Sequence, residues 1–271
     1  MTDKDGQDVA DWWRTAIIDM EPGRIAFRGQ PVEELIGKLS FPQMIWLMVM
    51  GRVPGPGETR LLEAALVAAV DHGPQAPSIA AARMAVTCGL ALNNAMASAL
   101  NMLGDVHGGA GEQAVELYLD IAGRSDGGAT LEAATATALA DWRAQHGKYI
   151  PGFGHRFHKP VDPRAPRLLA LVDEAAAAGE VPGRFAAIGR GVEAALRAEA
   201  GKPVPMNIDG ATAVIFAELG CPPPLARGLF CLSRAVGILA HAWEQQQQGG
   251  RNKGPTPPQY RWTYEGPDVE L

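Results

Sequence analysis

Apolar residues in this chain recur three and four positions apart far more often than at every second position, which is the spacing of one face of a helix. Val32, Leu35 and Ile36 open the pattern after Pro31. Ser40 then stands three residues before Gln43, ahead of an apolar run from Met44 to Met50 that stops at Gly51. That spacing predicts a capping box at the start and a left-handed glycine at the end. After the turn Pro54 to Gly57, a helix is expected from about Glu58 to Val70, finishing at Asp71, His72 and Gly73. Pro74 to Ser78 reads as a loop. Further helical patterns cover Glu112 to Leu119, an alanine-rich stretch ending near Gln145, Arg167 to Ala178, Val192 to Ala200, Thr212 to Leu219, and a long apolar stretch around Leu229 to Leu239. Alternating strand patterns are nearly absent, so the fold class is all-α. Asp3 to Asp11 is expected to be a mobile lead-in, and Asn252 to Leu271 an irregular tail.

One stretch, Met84 to Gly104, carries no charge. It is built from Ala, Gly, Thr and Ser with three asparagines (Asn93, Asn94, Asn101), which find partners more readily inside a protein than in lipid. It predicts a helix buried on most sides, a candidate subunit interface, and no transmembrane span.

Composition narrows the function classes. With 271 residues, 47% apolar and 20% charged, the chain has ample material for a core in one large or two unequal domains. A net charge of −6 without a basic run argues against a nucleic-acid binder. Three cysteines (Cys88, Cys221, Cys231) lack metal-ligand spacing, and their odd count suits a reducing cytoplasm. The polar, acidic N-terminal residues do not read as a signal peptide. The histidines lack the helical spacing of zinc sites, so no metal is expected.

Three stretches carry candidate chemistry. Pro151 to Arg164 places Gly152 and Gly154 around Phe153, then His155, Arg156, His158, Lys159 and Arg164. A glycine-rich turn that presents an imidazole among cations suits an anionic substrate with a group to protonate, and equally a basic surface loop. Gly104 to Gly111 sets His107 among glycines just before a helix, where added positive charge is disfavoured and a neutral donor is favoured. The alternative there is a capping or core histidine. Pro203 to Gly210 places Asp209 before a helix, as a reactive carboxylate or an N-cap. Arg234, in the middle of an apolar helix, requires an anionic partner, either a side chain or a substrate.

The order and spacing of Gly-Asp-Val-His-Gly-Gly, Pro-Gly-Phe-Gly-His-Arg with Asp-Pro-Arg, and Asn-Ile-Asp-Gly resemble the three catalytic stretches of the citrate synthase superfamily. Gly29, Val53-Pro54, Asp71-His72 and Ser233-Arg234-Ala235 extend the likeness over most of the chain. The resemblance implies an all-α homodimer or higher homo-oligomer. It also implies a large helical domain (1–112 and 213–271), a smaller inserted one (113–212), and an active site between them. It implies Asp209 as the base that removes an α-proton from acetyl-CoA, and His107 as a neutral donor to the enolate. His155 is implied as the acid at the keto oxygen of oxaloacetate, and in reverse as the acceptor of the hydroxyl proton of citryl-CoA. His72, Arg164 and Arg234 match positions that hold the 2-oxo dicarboxylate. Gly152, Phe153, Gly154, Arg156 and Lys159 match a coenzyme A-contacting loop. The implied CoA thioester is a substrate, and no bound cofactor is expected.

Gly210, Asp105 and the short length resemble the citryl-CoA lyase branch, including the C-terminal module of ATP-citrate lyase, whereas His107 is synthase-like. In the tail, Tyr264-Glu265-Gly266 is present without the arginine that synthases place before it, and Arg251 or Arg261 are the candidates to replace it. Three readings follow: a citryl-CoA lyase-like enzyme, a short citrate or methylcitrate synthase, or a non-catalytic subunit that binds CoA thioesters.

Overall fold

The computed structural model describes residues 11–267. The segment Asp3 to Asp11 expected as a lead-in lies, except for Asp11, outside the described residues. Contact density divides the chain into two compact units, Met1–Glu63 and Ala64–Leu271, each described by itself.

The first unit holds the feature that the pattern reading missed. Strands β1 (Ile18–Glu21), β2 (Arg24–Phe27) and β3 (Gln30–Pro31) form an antiparallel sheet in that order. Pro22 and Gly23 make the two-residue turn between β1 and β2, with Gly23 at φ 80°. β1 is exposed along its length, so no buried face imposed the alternation that marks a half-buried strand. The helix expected after Pro31 is one turn, α1 (Val32–Leu35). α2 (Phe41–Met50) begins with the expected capping box, in which Ser40 and Gln43 bond reciprocally, and ends at Gly51 with φ 76°. Ser40→Ala therefore costs about 1 kcal/mol of stability, read as a lower urea midpoint at constant slope. α3 (Pro56–Ala68) runs across the boundary between the units.

The second unit is helical among the described residues: α4 (Pro77–Thr87), α5 (Leu92–Leu100), α6 (Ala110–Asp126), α7 (Leu131–His146), α8 (Arg164–Ala177), α9 (Arg184–Ala200), α10 (Ile208–Glu218) and α11 (Pro223–Gln248). The all-α expectation holds here. The uncharged stretch Met84 to Gly104, expected as one helix, is two, with Cys88 ending α4 and Gly89 at φ 92° turning the chain. Nor is it buried on most sides in the single chain, since Asn93, Asn94, Ala97 and Ser98 are exposed. α11 is long and apolar enough to cross a membrane by length and composition. It packs against α4, α5 and α6, and buries Ile238 and Ala242 in a cluster with Ile79, Ala82, Ala95 and Ala99. α10 is buried along its length and packs against α6, α8 and α9, so its N-terminus is rigidly placed.

Candidate active site

The three chemistry-bearing stretches meet at the start of α10. Asn207 caps that helix, its side-chain oxygen accepting from the Asp209 and Gly210 N–H groups at 2.9 and 3.2 Å. Asp209 is thus not the N-cap, and its carboxylate is left without a protein hydrogen-bond donor among the described residues. Burial pushes its carboxyl above the usual range, while Arg234 and Arg164 draw it down. The amide of Asn207 also donates to the Gly154 carbonyl at 2.9 Å, and its N–H donates to the Gly152 carbonyl at 2.9 Å. Gly154 in turn donates to Pro205 at 2.7 Å. The Gly152–Gly154 turn is therefore laced to the residues preceding Asp209. Gly152 has φ 84°, and a Cβ there would strike the Gly210 Cα, whereas a Cβ on Gly210 would strike the Gly152 carbonyl. Two glycines face each other because nothing larger fits either side.

A cavity of about 340 Å³ opens beside this junction, lined by His72, His107, His155, Arg156, Asp209 and Arg234, among others. The family resemblance had implied a common site for all six. The cavity also draws in Phe230, which the sequence did not single out. It lies one turn before Arg234, whose guanidinium sits 4.9 Å from its ring centre. Arg234 is buried, and its protein hydrogen-bond partner among the described residues is the Ala69 carbonyl, at 3.2 Å from Nε. Its outer nitrogens are left for an anion in the cavity.

Backbone donors fix the tautomer of two of the three imidazoles, His107 and His155. His107 Nε2 accepts the backbone N–H of Ser78 at 3.2 Å, with the Ser78 hydroxyl at 2.9 Å. Ser78 lies in the first turn of α4, so a backbone N–H of that helix terminus meets His107, which also stands just before the Gly109 cap of α6 as expected. Burial, and then Arg234, hold its pKa down. A peptide N–H only donates, so the ring carries its proton on Nδ1. His155 has the opposite tautomer. Its Nδ1 accepts the N–H groups of Phe157 at 3.1 Å and His158 at 3.0 Å, leaving Nε2–H on the other edge. Burial and the neighbouring His158 lower its pKa. His72 stands edge-on to His155, ring centres 5.7 Å apart. Burial, Arg234 and Arg164 hold it neutral as well.

Not every expected residue joins the cavity. Arg164 binds Asp162 in a two-pronged pair at 3.0 and 2.8 Å, with Asp162 fully buried, and it is absent from the lining. It acts on the site as a nearby charge rather than a surface group. Gly152 and Phe153 line a neighbouring cleft of about 650 Å³, where Glu112, Glu116 and Asp105 surround Arg227. Phe153 and Gly154 border a third, of about 440 Å³, that includes Arg143 and Lys148. Lys159 is exposed and outside all three. Of the expected CoA loop, Gly154 and Arg156 reach the cavity. Ser78 and Asn207 bond to residues of the candidate site and were not singled out by the sequence reading. An asparagine two residues before a helical aspartate was a legible cap signal, whereas nothing local marked Ser78.

Residues 53–256 match the family described as citrate synthase, C-terminal domain. The citrate synthase of Acidithiobacillus ferridurans is 29% identical over 77% of this chain and 52% of its own length. That of Deinococcus radiodurans is 31% identical over 74% of this chain and 51% of its own. The chain thus spans about half the length of the curated relatives it matches. The structure of citryl-CoA lyase from Hydrogenobacter thermophilus aligns over 96% of this chain and 97% of that one, at 30% identity and a TM-score of 0.81. Citrate synthase from Pyrobaculum aerophilum aligns over 86% of this chain but 55% of its own, at 27% identity and a TM-score of 0.67. The chain belongs to the citrate synthase family and has its helical fold.

Proposed function

We propose that this protein is a citryl-CoA lyase, splitting citryl-CoA into acetyl-CoA and oxaloacetate. The observation that carries the reading is the end-to-end alignment with the Hydrogenobacter lyase, which is as short as this chain. A cavity that gathers two imidazole donors, one raised carboxyl and a free guanidinium face supports it. In cleavage, the bond between the hydroxyl-bearing carbon and the acetyl methylene breaks. His107 Nδ1–H receives the thioester enolate oxygen, and Asp209, whose carboxyl burial pushes up, delivers a proton to the enolate carbon. His155 holds the oxygen that becomes the keto group, and the hydroxyl proton passes to the imidazole pair beside it, His155 and His72, whose ring centres are 5.7 Å apart. Arg234 grips a carboxylate, with Arg164 adding field from behind Asp162.

As part of the same proposal, the protein acts as a cytoplasmic homodimer with the large and small domains divided at 112 and 213, and the thioester passes the Gly152–Gly154 turn. The alternative, a citrate synthase, draws support from the curated relatives. A silent CoA-thioester binder fits less well, because it would have no use for a half-buried Asp209 carboxylate that no protein donor engages among the described residues.

The test is citryl-CoA incubated with purified protein, with oxaloacetate and free thiol followed separately. Oxaloacetate without thiol is the expected result, and thiol with citrate and little oxaloacetate overturns it in favour of the synthase. Ser78→Ala removes the hydroxyl but keeps the N–H at His107, so it costs about 1 kcal/mol, roughly fivefold in turnover. An unchanged rate would show that the peptide N–H alone sets the tautomer.

A further inference from the structure

A cavity of about 760 Å³, larger than the histidine-lined one, is bounded by α4, the end of α11 and the segment that follows it. Arg251, a sequence candidate for the tail arginine, lines this cavity and takes no part in the lining of the other. The segment is pinned where it closes the cavity. Asn252 N–H donates to the Thr87 carbonyl and Lys253 N–H to the Thr87 hydroxyl, both at 3.0 Å, at the last turn of α4. Pro255, Pro257 and Pro258 then supply an apolar wall of fixed φ, which Ala80 and Met84 of α4 extend.

Every charged residue in the lining is a cation: Arg83, Arg251 and Lys253, in a chain of net charge −6. Arg83 is half-buried and partly balanced. Its Nη1 donates to Glu244 at 2.6 Å and faces His241 Nδ1 at 3.1 Å, while Nη2 donates to Gln248 at 2.8 Å. That leaves Nε–H and one Nη2 hydrogen uncommitted. Glu244 lies outside the lining, and no protein acceptor engages the exposed Arg251 and Lys253 side chains among the described residues. Gln245 adds a buried donor. It is 2% exposed, gives one amide hydrogen to the Gly249 carbonyl at 2.8 Å and keeps the other.

We propose that this cavity is a second ligand site, for a phosphate or carboxylate anion that carries a short apolar body. Guanidinium forks and an ammonium suit the oxyanion head, with the spare Gln245 hydrogen as a neutral donor. Met84 and the prolines receive the body. No aromatic ring lines the cavity to stack a base, so the ligand is an aliphatic anion rather than a nucleotide. The volume fits a small organic molecule, and the pinned, proline-walled segment needs little ordering when one binds.

The test is calorimetric titration of the purified protein with four probes: hexyl phosphate, hexanoate, inorganic phosphate and hexanol. One or both of the first two should bind saturably at one per chain, and the tighter of them identifies the head group. Phosphate lacks the body and hexanol the charge, so each should bind about tenfold more weakly or worse. The double variant Arg251→Gln, Lys253→Gln keeps both side-chain lengths at exposed positions and should weaken the better probe by about tenfold or more. Arg251→Lys with Lys253→Arg keeps the charges and should retain most of the affinity. Ala80→Phe fills the cavity and should abolish binding; if it fails to fold, the double variant decides alone. Three results each overturn the proposal: no saturable binding of hexyl phosphate or hexanoate, hexanol binding as tightly as either, or affinity unchanged in the double variant. The last would place the anion elsewhere, at the Arg234 cavity for example. Binding is read without turnover, so the outcome is independent of the lyase reading.

Discussion

Asp209→Asn lowers kcat for citryl-CoA cleavage by about 10³-fold or more, with KM nearly unchanged. The amide has almost the same shape, and the capping bonds from Asn207 involve only the backbone of residue 209, so α10 stays in place. On the proposed lyase reading, what is lost is the proton that must reach the enolate carbon. The same substitution has an opposite effect on stability. Burial raises the folded pKa of Asp209 above its unfolded value, so the native state prefers the neutral carboxyl. Such a group stabilises the fold fully below its unfolded pKa, and that contribution is lost as pH rises through the folded pKa. The amide that replaces it cannot ionise. The variant should therefore unfold at a higher temperature than wild type near pH 8, with the difference shrinking toward pH 4. Thermal unfolding at the two pH values checks this, and a variant less stable at pH 8 would mean that the field of Arg234 and Arg164 outweighs burial.

Gly210→Val damages two loops of the candidate site at once. Its Cβ has no space, because the Gly152 carbonyl and the Met206 side chain occupy that direction. Either α10 backs away or the Gly152–Gly154 turn does, and the second movement carries His155 with it. Overpacking against backbone costs about 1–3 kcal/mol, and a shift of about 1 Å at His155 costs roughly 10²-fold in turnover. Denaturant unfolding and the citryl-CoA assay read the two effects separately. Gly152→Ala should fall in the same direction, with added strain from its φ of 84°. Full activity and stability in Gly210→Val would mean that the two loops are not coupled. Gly210 is one of the residues by which the chain resembles the lyase branch, and this contact is where it acts.

Local signals in the chain were enough for most helices, because their caps and breakers are short-range. Ser40 with Gln43 and Gly51 state where one helix begins and ends whatever packs on it. The resemblance carried by the motifs also implied one site for His72, His107, His155, Arg156, Asp209 and Arg234, which line one cavity. The β-hairpin escaped because its exposed strands bury no face and so need no alternation. Arg164 shows a different limit. Its pairing with Asp162 is only two residues away in sequence, but whether a guanidinium faces a cavity or a buried carboxylate depends on what surrounds both. The tautomers of His107 and His155 are the clearest case. Sequence supplies an imidazole with two nitrogens of equal standing, and a donor from Ser78, twenty-nine residues from His107, or from the turn after His155 chooses between them. The sequence by itself determined which chemical groups are present and which segments coil. Only the tertiary structure decided which face of each group is left for substrate, because hydrogen bonds reach about 3 Å and are settled by whatever the fold brings that close.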